Sequence, residues 1–404
     1  MTTRDRRLQL REYQWNAVVH LSRRVGAGDR RLGLSAPTGS GKTVILHAFM
    51  AKTRPLFTGV LVAAPSLATE AAFHKSVRVK YDAGYAEPGH TRVRDFEVAT
   101  SMFVYPNKED VAKRDELATF LTPAGHERPF FLTTHMQLTS WGTGVLPPDL
   151  SGKVLVLDEA HHAGTDAEAE QLNTEVGNFA TAWYDRGGTV VYSTATPYRA
   201  DELDVFPEGT DPYAWSIAEH AASGHAPTDF CPSTVAVDVE AHSLPEFFGD
   251  AGGVGGADVA CAAMVGRWVA DGKPKAVFIL PAGVAGRAEA WGKRLALALA
   301  AASPSVRVVN AVDSASPDEQ AKVEFLAALA READVERYAD STVDVFLACK
   351  RFDEGTDWPL CSHVYNWGVP SSFGLILQRW GRTFRCKKRY ADYPEAHRAC
   401  AQVA

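Results

Sequence analysis

Short apolar runs alternate along this chain with stretches that read as helix. Runs at 32–35, 60–64, 154–157, 190–193, 276–280 and 343–348 are each a few residues long and apolar or β-branched almost throughout. Runs of that length, bounded by turn residues, predict strands buried on both faces, since a half-exposed strand would alternate apolar with polar positions. Helix is expected between them, for example over 43–51 and 257–270. Strand and helix in alternation predict an α/β protein built on parallel sheets.

One stretch breaks the pattern. Gly249, Gly252, Gly253, Gly255 and Gly256 crowd together, and such a backbone is too permissive for a packed element. The preceding 232–243 reads as an extended exit from the first domain. The expected organisation is therefore a first domain over 1–240, a glycine-rich linker over 241–256 and a second domain over 257–404. No internal sequence repeat relates the halves.

The chemistry gathers where runs end. The run 32–35 leads into Ala36, Pro37, Thr38, Gly39, Ser40, Gly41, Lys42 and Thr43. Glycines at 39 and 41 let backbone N–H groups curl around a phosphate, and the helix that follows aims its positive end at the same anion. Lys42 is then placed for the β- and γ-phosphates, and the Thr43 hydroxyl for Mg2+. The run 154–157 ends in two carboxylates, Asp158 and Glu159. Asp158 can hold Mg2+ through water, and Glu159 can orient and deprotonate an attacking water. The plainer readings are a chance glycine turn and a surface acidic pair. The strand–loop–helix setting of the first and the apolar strand running into the second weigh against both.

Asp158, Glu159, Ala160 and His161 downstream of a phosphate loop resemble the superfamily 2 helicases, and further motifs follow in that family's order. Leu10, Arg11, Glu12, Tyr13 and Gln14 resemble the Q-type motif of the branch that holds restriction-enzyme motor subunits and XPB-like proteins. The resemblance implies that Arg11 and Gln14 meet the nucleotide, with Gln14 reading adenine. Glu12 stands where that pattern often has proline, and Ala36 where the phosphate loop usually has its first glycine. Ser193, Thr194, Ala195, Thr196 and Pro197 resemble motif III, whose hydroxyls link the γ-phosphate region to the strand-binding face. Pro65 and Ser66 resemble part of motif Ia, and Thr133 and Thr134 part of motif Ic. Both pairs are implied to contact nucleic-acid backbone, which carries no sequence information. Gly355 and Asp357 lie in a match to motif V, implied to touch the nucleotide ribose and the nucleic acid. Gln378, Arg382 and Arg385 form the motif VI match. The two arginines are three apart and would share one helix face, and the resemblance makes them arginine fingers.

The resemblance thus implies two tandem RecA-like domains, parallel sheets flanked by helices, with ATP and Mg2+ in the cleft between them. The function implied is an ATP-hydrolysing nucleic-acid motor, with DNA favoured over RNA by the branch resembled. Its rivals are a translocase that does not separate strands, as in restriction or defence systems, and a degenerate scaffold that keeps only the fold. An unrelated P-loop enzyme such as a kinase would not need motif VI.

Net charge and cysteines change this picture little. A formal charge of -7 argues against a passive basic coat on nucleic acid but not against a motor with one basic groove. Six scattered cysteines include no C-x-x-C pair, so neither a zinc site nor a disulfide framework is expected. No apolar stretch approaches the ~20 residues of a membrane helix, and the N-terminus is polar, so a cytoplasmic location and no membrane partner are expected. No nuclease or methyltransferase motif accompanies the motor, so such activity would come from a partner subunit. After Arg385 no β-branched run follows. The second sheet is therefore expected to lack a strand there, leaving the chain a fragment or one sheet edge unfinished.

Overall fold

The apolar runs become the middle strands of two parallel sheets in a computed structural model, one in each of two units, Met1–Glu219 and His220–Ala404. The division falls earlier in the chain than the glycine cluster. The structure describes residues 8–65, 70, 73–74, 77–81, 94–104, 110–123, 126–163, 170–197, 205–223, 254–280, 287–312, 343–349, 361–367 and 400–403.

The first unit runs β1 (Leu8–Gln9), α1 (Glu12–Gly26), β2 (Arg31–Ser35), α2 (Lys42–Thr53), β3 (Gly59–Ala64), β4 (Val77–Tyr81), β5 (Arg94–Val98) and β6 (Phe103–Val104). It continues through α3 (Asp110–Phe120), β7 (Phe130–Thr134), α4 (His135–Trp141), β8 (Lys153–Asp158), α5 (Glu170–Asp185), β9 (Thr189–Thr194) and β10 (Asp211–Ala214). Seven of the strands form one sheet in the order β10-β2-β9-β8-β3-β7-β6, parallel throughout. A small separate sheet joins β1, β4 and β5, with β4 and β5 antiparallel.

Alternation explains why the central strands carry no polar face. Val60, Val62, Val154, Val156 and Val191 pack to one side with Ala17, Val18 and Leu21 of α1 and Ile45, Leu46 and Phe49 of α2. Leu61, Ala63, Leu155, Leu157 and Val190 pack to the other with Leu117 and Phe120 of α3 and Phe179 and Trp183 of α5. Each fully buried side chain of this size contributes roughly 1.5–3 kcal/mol, so both helix layers are held by the same strands. Lys153 opens β8 in a buried position, with its ammonium donating to the Phe120 carbonyl at 2.8 Å. Burial lowers its pKa. That bond satisfies the last carbonyl of α3, as cations at helix C-termini do.

The second unit contains α6 (Val254–Ala270), β11 (Ala276–Ile279), α7 (Arg287–Ala302), β12 (Val308–Asn310), β13 (Val345–Ala348), β14 (His363–Asn366) and β15 (Cys400–Val403). Its sheet is parallel in the order β12-β13-β11-β14-β15. Ala276, Phe278, Val345, Leu347 and Tyr365 pack with Met264 and Trp268 of α6 and Leu295 and Leu299 of α7.

Two expectations are corrected here. Helix α6 begins at Val254 and takes in Gly255 and Gly256, which had been placed in the linker. Glycine costs a helix about 1 kcal/mol per residue, and the buried Ala260, Cys261, Met264, Val265 and Trp268 further along outweigh it. A strand also forms after Arg385: β15 pairs in parallel with β14, from His363↔Cys400 to Asn366↔Val403. Its sequence has one β-branched residue, so main-chain pairing to a buried neighbour places it there, which side-chain propensity cannot foretell.

Candidate active site

The phosphate loop lies at the carboxyl end of β2, where open α/β sheets bind ligands. Gly39 and Gly41 adopt φ of 83° and 86°, a left-handed conformation that favours glycine. Lys42 is buried, and its Nζ lies 3.3 Å from the Ala36 carbonyl and 3.5 Å from Glu159 Oε1. Thr38 and Thr43 are half-buried on the loop's outer turn and the first turn of α2. Ser40 is 1% exposed, and among the described residues its hydroxyl has no hydrogen-bond partner. A buried hydroxyl left unpaired costs about 1–3 kcal/mol, so this loop carries donor capacity that the protein does not use itself.

Asp158 and Glu159 end the neighbouring region of the sheet, with β8 joined to β2 through β9. Asp158 is buried, and its pKa is pushed up to about 7, by burial first and then by the charge of Glu159. Lys42 and the Ser193 hydroxyl, which donates to Asp158 Oδ1 at 3.0 Å, pull the other way without prevailing. Burial thus outweighs the lysine and the hydrogen bonds at Asp158. Glu159 holds φ 50°, a conformation that costs a residue with a Cβ on the order of 1 kcal/mol or more. His161 Nδ1 sits 3.0 Å from Thr194 Oγ1 and 3.6 Å from Glu159 Oε2. The acidic strand end and the Ser193–Pro197 segment are therefore directly bonded. Ser193 is the residue that reaches Asp158 itself, although sequence reasoning assigned it no individual role.

Gln14 reaches the phosphate loop from α1. Its Oε1 accepts from the Arg11 backbone N–H at 3.0 Å, and its Nε2 donates to the Ser40 carbonyl at 2.8 Å. A Cβ on Gly41 would lie 2.6 Å from Gln14 Nε2, so Gly41 serves both the loop's turn and the seat of Gln14. The Arg11 guanidinium donates to the Tyr13 hydroxyl at 3.3 Å. Arg11, Gln14, Ser40, Gly41, Lys42, Asp158 and Glu159 are thus brought to one end of one sheet.

The strand ends assigned to nucleic acid differ. Pro65 follows β3 and is half-buried. Thr133 and Thr134 end β7 and are buried. The Thr133 hydroxyl donates to Gln137 Oε1 at 2.9 Å, and Thr134 Oγ1 accepts the Gln137 N–H at 3.3 Å. The Thr134 N–H donates back to Gln137 Oε1 at 3.2 Å, which closes a capping box at the start of α4. Both hydroxyls already have partners, and the exposed neighbour at this corner is Met136, at 69%. Ser66, Gly355, Asp357, Gln378, Arg382 and Arg385 lie outside the described residues.

Residues 7–199 match the model of the family described as type III restriction enzyme, res subunit. Over those residues, most of the first unit, the chain resembles that restriction-enzyme family. No curated protein matches the chain by sequence. Among solved structures, the ATP-dependent type ISP restriction-modification enzyme LlaBIII, bound to DNA, is similar at TM-score 0.62 and 16% identity, over 98% of this chain and 28% of that one. A protein described as an HsdR subunit of a type I restriction enzyme from Vibrio vulnificus YJ016, solved as a fragment, matches at 0.58 and 14%, over 97% and 63%. The helicase Lhr of Mycobacterium smegmatis, bound to single-stranded DNA and AMP-PNP, matches at 0.53 and 16%, over 97% and 45%. At such identities these likenesses are of fold, and they make the units RecA-like. This chain spans less than two thirds of each of these proteins. Among the described residues no helix is long and apolar enough to cross a membrane.

Proposed function

We propose that this protein is an ATP-driven motor on DNA, hydrolysing ATP with Mg2+ at the phosphate loop. The observation that carries the reading is the unused capacity beside Lys42: among the described residues the buried Ser40 hydroxyl has no hydrogen-bond partner, and close by burial pushes up the pKa of the Asp158 carboxyl. A polyphosphate would take up the donors and a divalent cation would supply positive charge. Thr43 and Asp158 would hold that cation, which would neutralise charge on the phosphates.

The remaining steps fall to the chain's own groups. Lys42 binds the phosphates, and Glu159 Oε1 or Oε2 takes the proton of an attacking water. His161 and Thr194 keep Glu159 tied to the Ser193–Pro197 turn. Gln14 has two amide hydrogens and two lone pairs, of which one each is engaged. One donor and one acceptor remain, which is what adenine presents in complement at N7 and N6. Arg382, Arg385, Gln378, Gly355 and Asp357 are proposed to complete the nucleotide site, on the strength of their motifs. Pro65 and Ser66 are proposed to mark the face that nucleic acid follows, whereas Thr133 and Thr134 are proposed to shape that strand end through Gln137 and not to contact nucleic acid themselves.

The family match to a restriction-enzyme subunit favours translocation along duplex DNA over strand separation, with nuclease or modification activity left to a partner. ATP turnover measured with double-stranded DNA, single-stranded DNA and RNA added in turn tests the whole reading. Stimulation by DNA is expected, with triplex displacement but little unwinding of a fork. No ATP hydrolysis under any of these conditions would sink it.

A further inference from the structure

The outer strand of the first unit is fastened to α1 at alternate residues. Asp211 forms an ion pair with Arg24 at 3.3 Å, and its carbonyl lies 3.0 Å from His20 Nε2. The Tyr213 ring is 5.9 Å from that of His20. The Trp215 ring is stacked on Tyr13, with centroids 4.7 Å apart and planes 7° from parallel. Side chains two apart on an extended segment share a side, and positions 13, 20 and 24 share a helix face. The strip therefore joins one side of β10 and its continuation to one face of α1.

The last contact in the strip is the one beside the phosphate loop. The Trp215 N–H donates to the Ser35 carbonyl at 2.8 Å, at the strand end from which the loop departs. The Tyr13 hydroxyl donates to the Ser40 carbonyl, the same oxygen that accepts from Gln14 Nε2. Tyr13 and Gln14 are neighbours on the first turn of α1, so whatever fixes the tyrosine ring fixes the seat of the glutamine.

We propose that Trp215 is a specificity-determining positioning residue: by stacking on Tyr13 it holds Gln14 in place and so sets a preference for adenine over guanine nucleotides. This rests on the ATPase reading above. The remaining donor and acceptor of Gln14 complement adenine's N7 and N6, whereas guanine offers acceptors at both N7 and O6. Telling them apart requires that the amide neither shift nor turn. Stacked aromatic pairs contribute beyond the area they bury, and here the stack is the lateral support of that turn of helix.

The test is kcat and KM for ATP and for GTP, measured on the full chain and on Trp215→Ala, Trp215→Phe and Tyr13→Phe. Trp215→Ala should raise KM for ATP about tenfold, the effect of losing one such pair. Its kcat should stay within about twofold and its KM for GTP should hardly move, so that the preference collapses. Trp215→Phe should restore most of it, and Tyr13→Phe, which keeps the ring, should show a smaller rise. General damage to the fold would lower activity on both nucleotides alike. Equal changes for the two nucleotides, an unchanged KM for ATP in Trp215→Ala, or a wild type indifferent to the base would overturn the proposal. Should Trp215→Ala fail to fold, Trp215→Leu carries the same comparison. Absence of ATP hydrolysis in the wild type, or a Lys42→Ala variant as active as wild type, would instead strike the underlying reading.

Discussion

Two strand ends in the first unit carry small hydroxyl residues, and they are built in opposite ways. Beyond the end of β2 the Ser40 hydroxyl is buried without a partner among the described residues, in the loop that carries Lys42. At the end of β7 the hydroxyls of Thr133 and Thr134 are equally buried, but Gln137 engages both. One corner is incomplete without something from outside, and the other completes itself. A hydroxyl at the carboxyl end of a strand is therefore no sign of a binding site until its partners are known. The unused donor, and not the residue type, is what supports the proposed phosphate site.

That contrast can be tested by four substitutions, taken from the largest effect to the smallest. Lys42→Ala should reduce ATP turnover by ~10³-fold or more, because it removes the fixed positive charge at the phosphates. Circular dichroism should show the fold retained. Near-normal turnover in a folded variant would remove the first corner from the comparison altogether. Glu159→Gly should lower hydrolysis by on the order of 10²-fold or more and yet raise stability by about 1 kcal/mol, since glycine adopts φ 50° without strain. A variant that melts lower and still turns over would contradict both halves of that expectation.

The smaller effects are the sharper ones, because the same kind of truncation should act with opposite sign at the two corners. Ser40→Ala should raise KM for ATP by about tenfold through loss of a hydrogen bond to a charged group. Thermal denaturation should show it no less stable than wild type, since the lost hydroxyl has no partner. Thr134→Ala should do the reverse, losing about 1 kcal/mol of stability with its cap and leaving DNA-stimulated ATP turnover within about twofold. If Thr134→Ala instead weakened DNA binding at unchanged melting temperature, the second corner would be a contact site after all.

The strands at 60–64, 154–157 and 190–193 were legible to within a residue, because a strand covered on both faces has no reason to interrupt its apolar run. Lys42, Asp158 and Glu159 were legible for a related reason: their chemistry depends on local spacing after such a strand. The outer strands were not. Residues 94–98 hold three charged side chains and two apolar ones, 211–214 contain a proline, and 400–403 hold a single β-branched residue. Each is placed by a neighbour's backbone, and a neighbour is what a sequence window does not contain. The stack of Tyr13 on Trp215 was hidden in the same way, since the two lie at opposite ends of the first unit's sequence. Alternation of Asp211, Tyr213 and Trp215 was the trace it left, overshadowed by Pro212 between them.

Pro212 has a consequence for how copies of this protein meet in a concentrated solution. Because the Trp215 N–H points inward to Ser35, alternation along a parallel strand turns the donors of positions 212 and 214 outward. Proline has none to turn, so the outermost strand of the sheet offers a passing chain a broken ladder, a known device against edge-to-edge aggregation. The accommodation is made one strand inward, where a Cβ on Gly33 would lie 2.6 Å from that of Pro212. Gly33 thereby makes room for the proline that interrupts this strand's outward ladder.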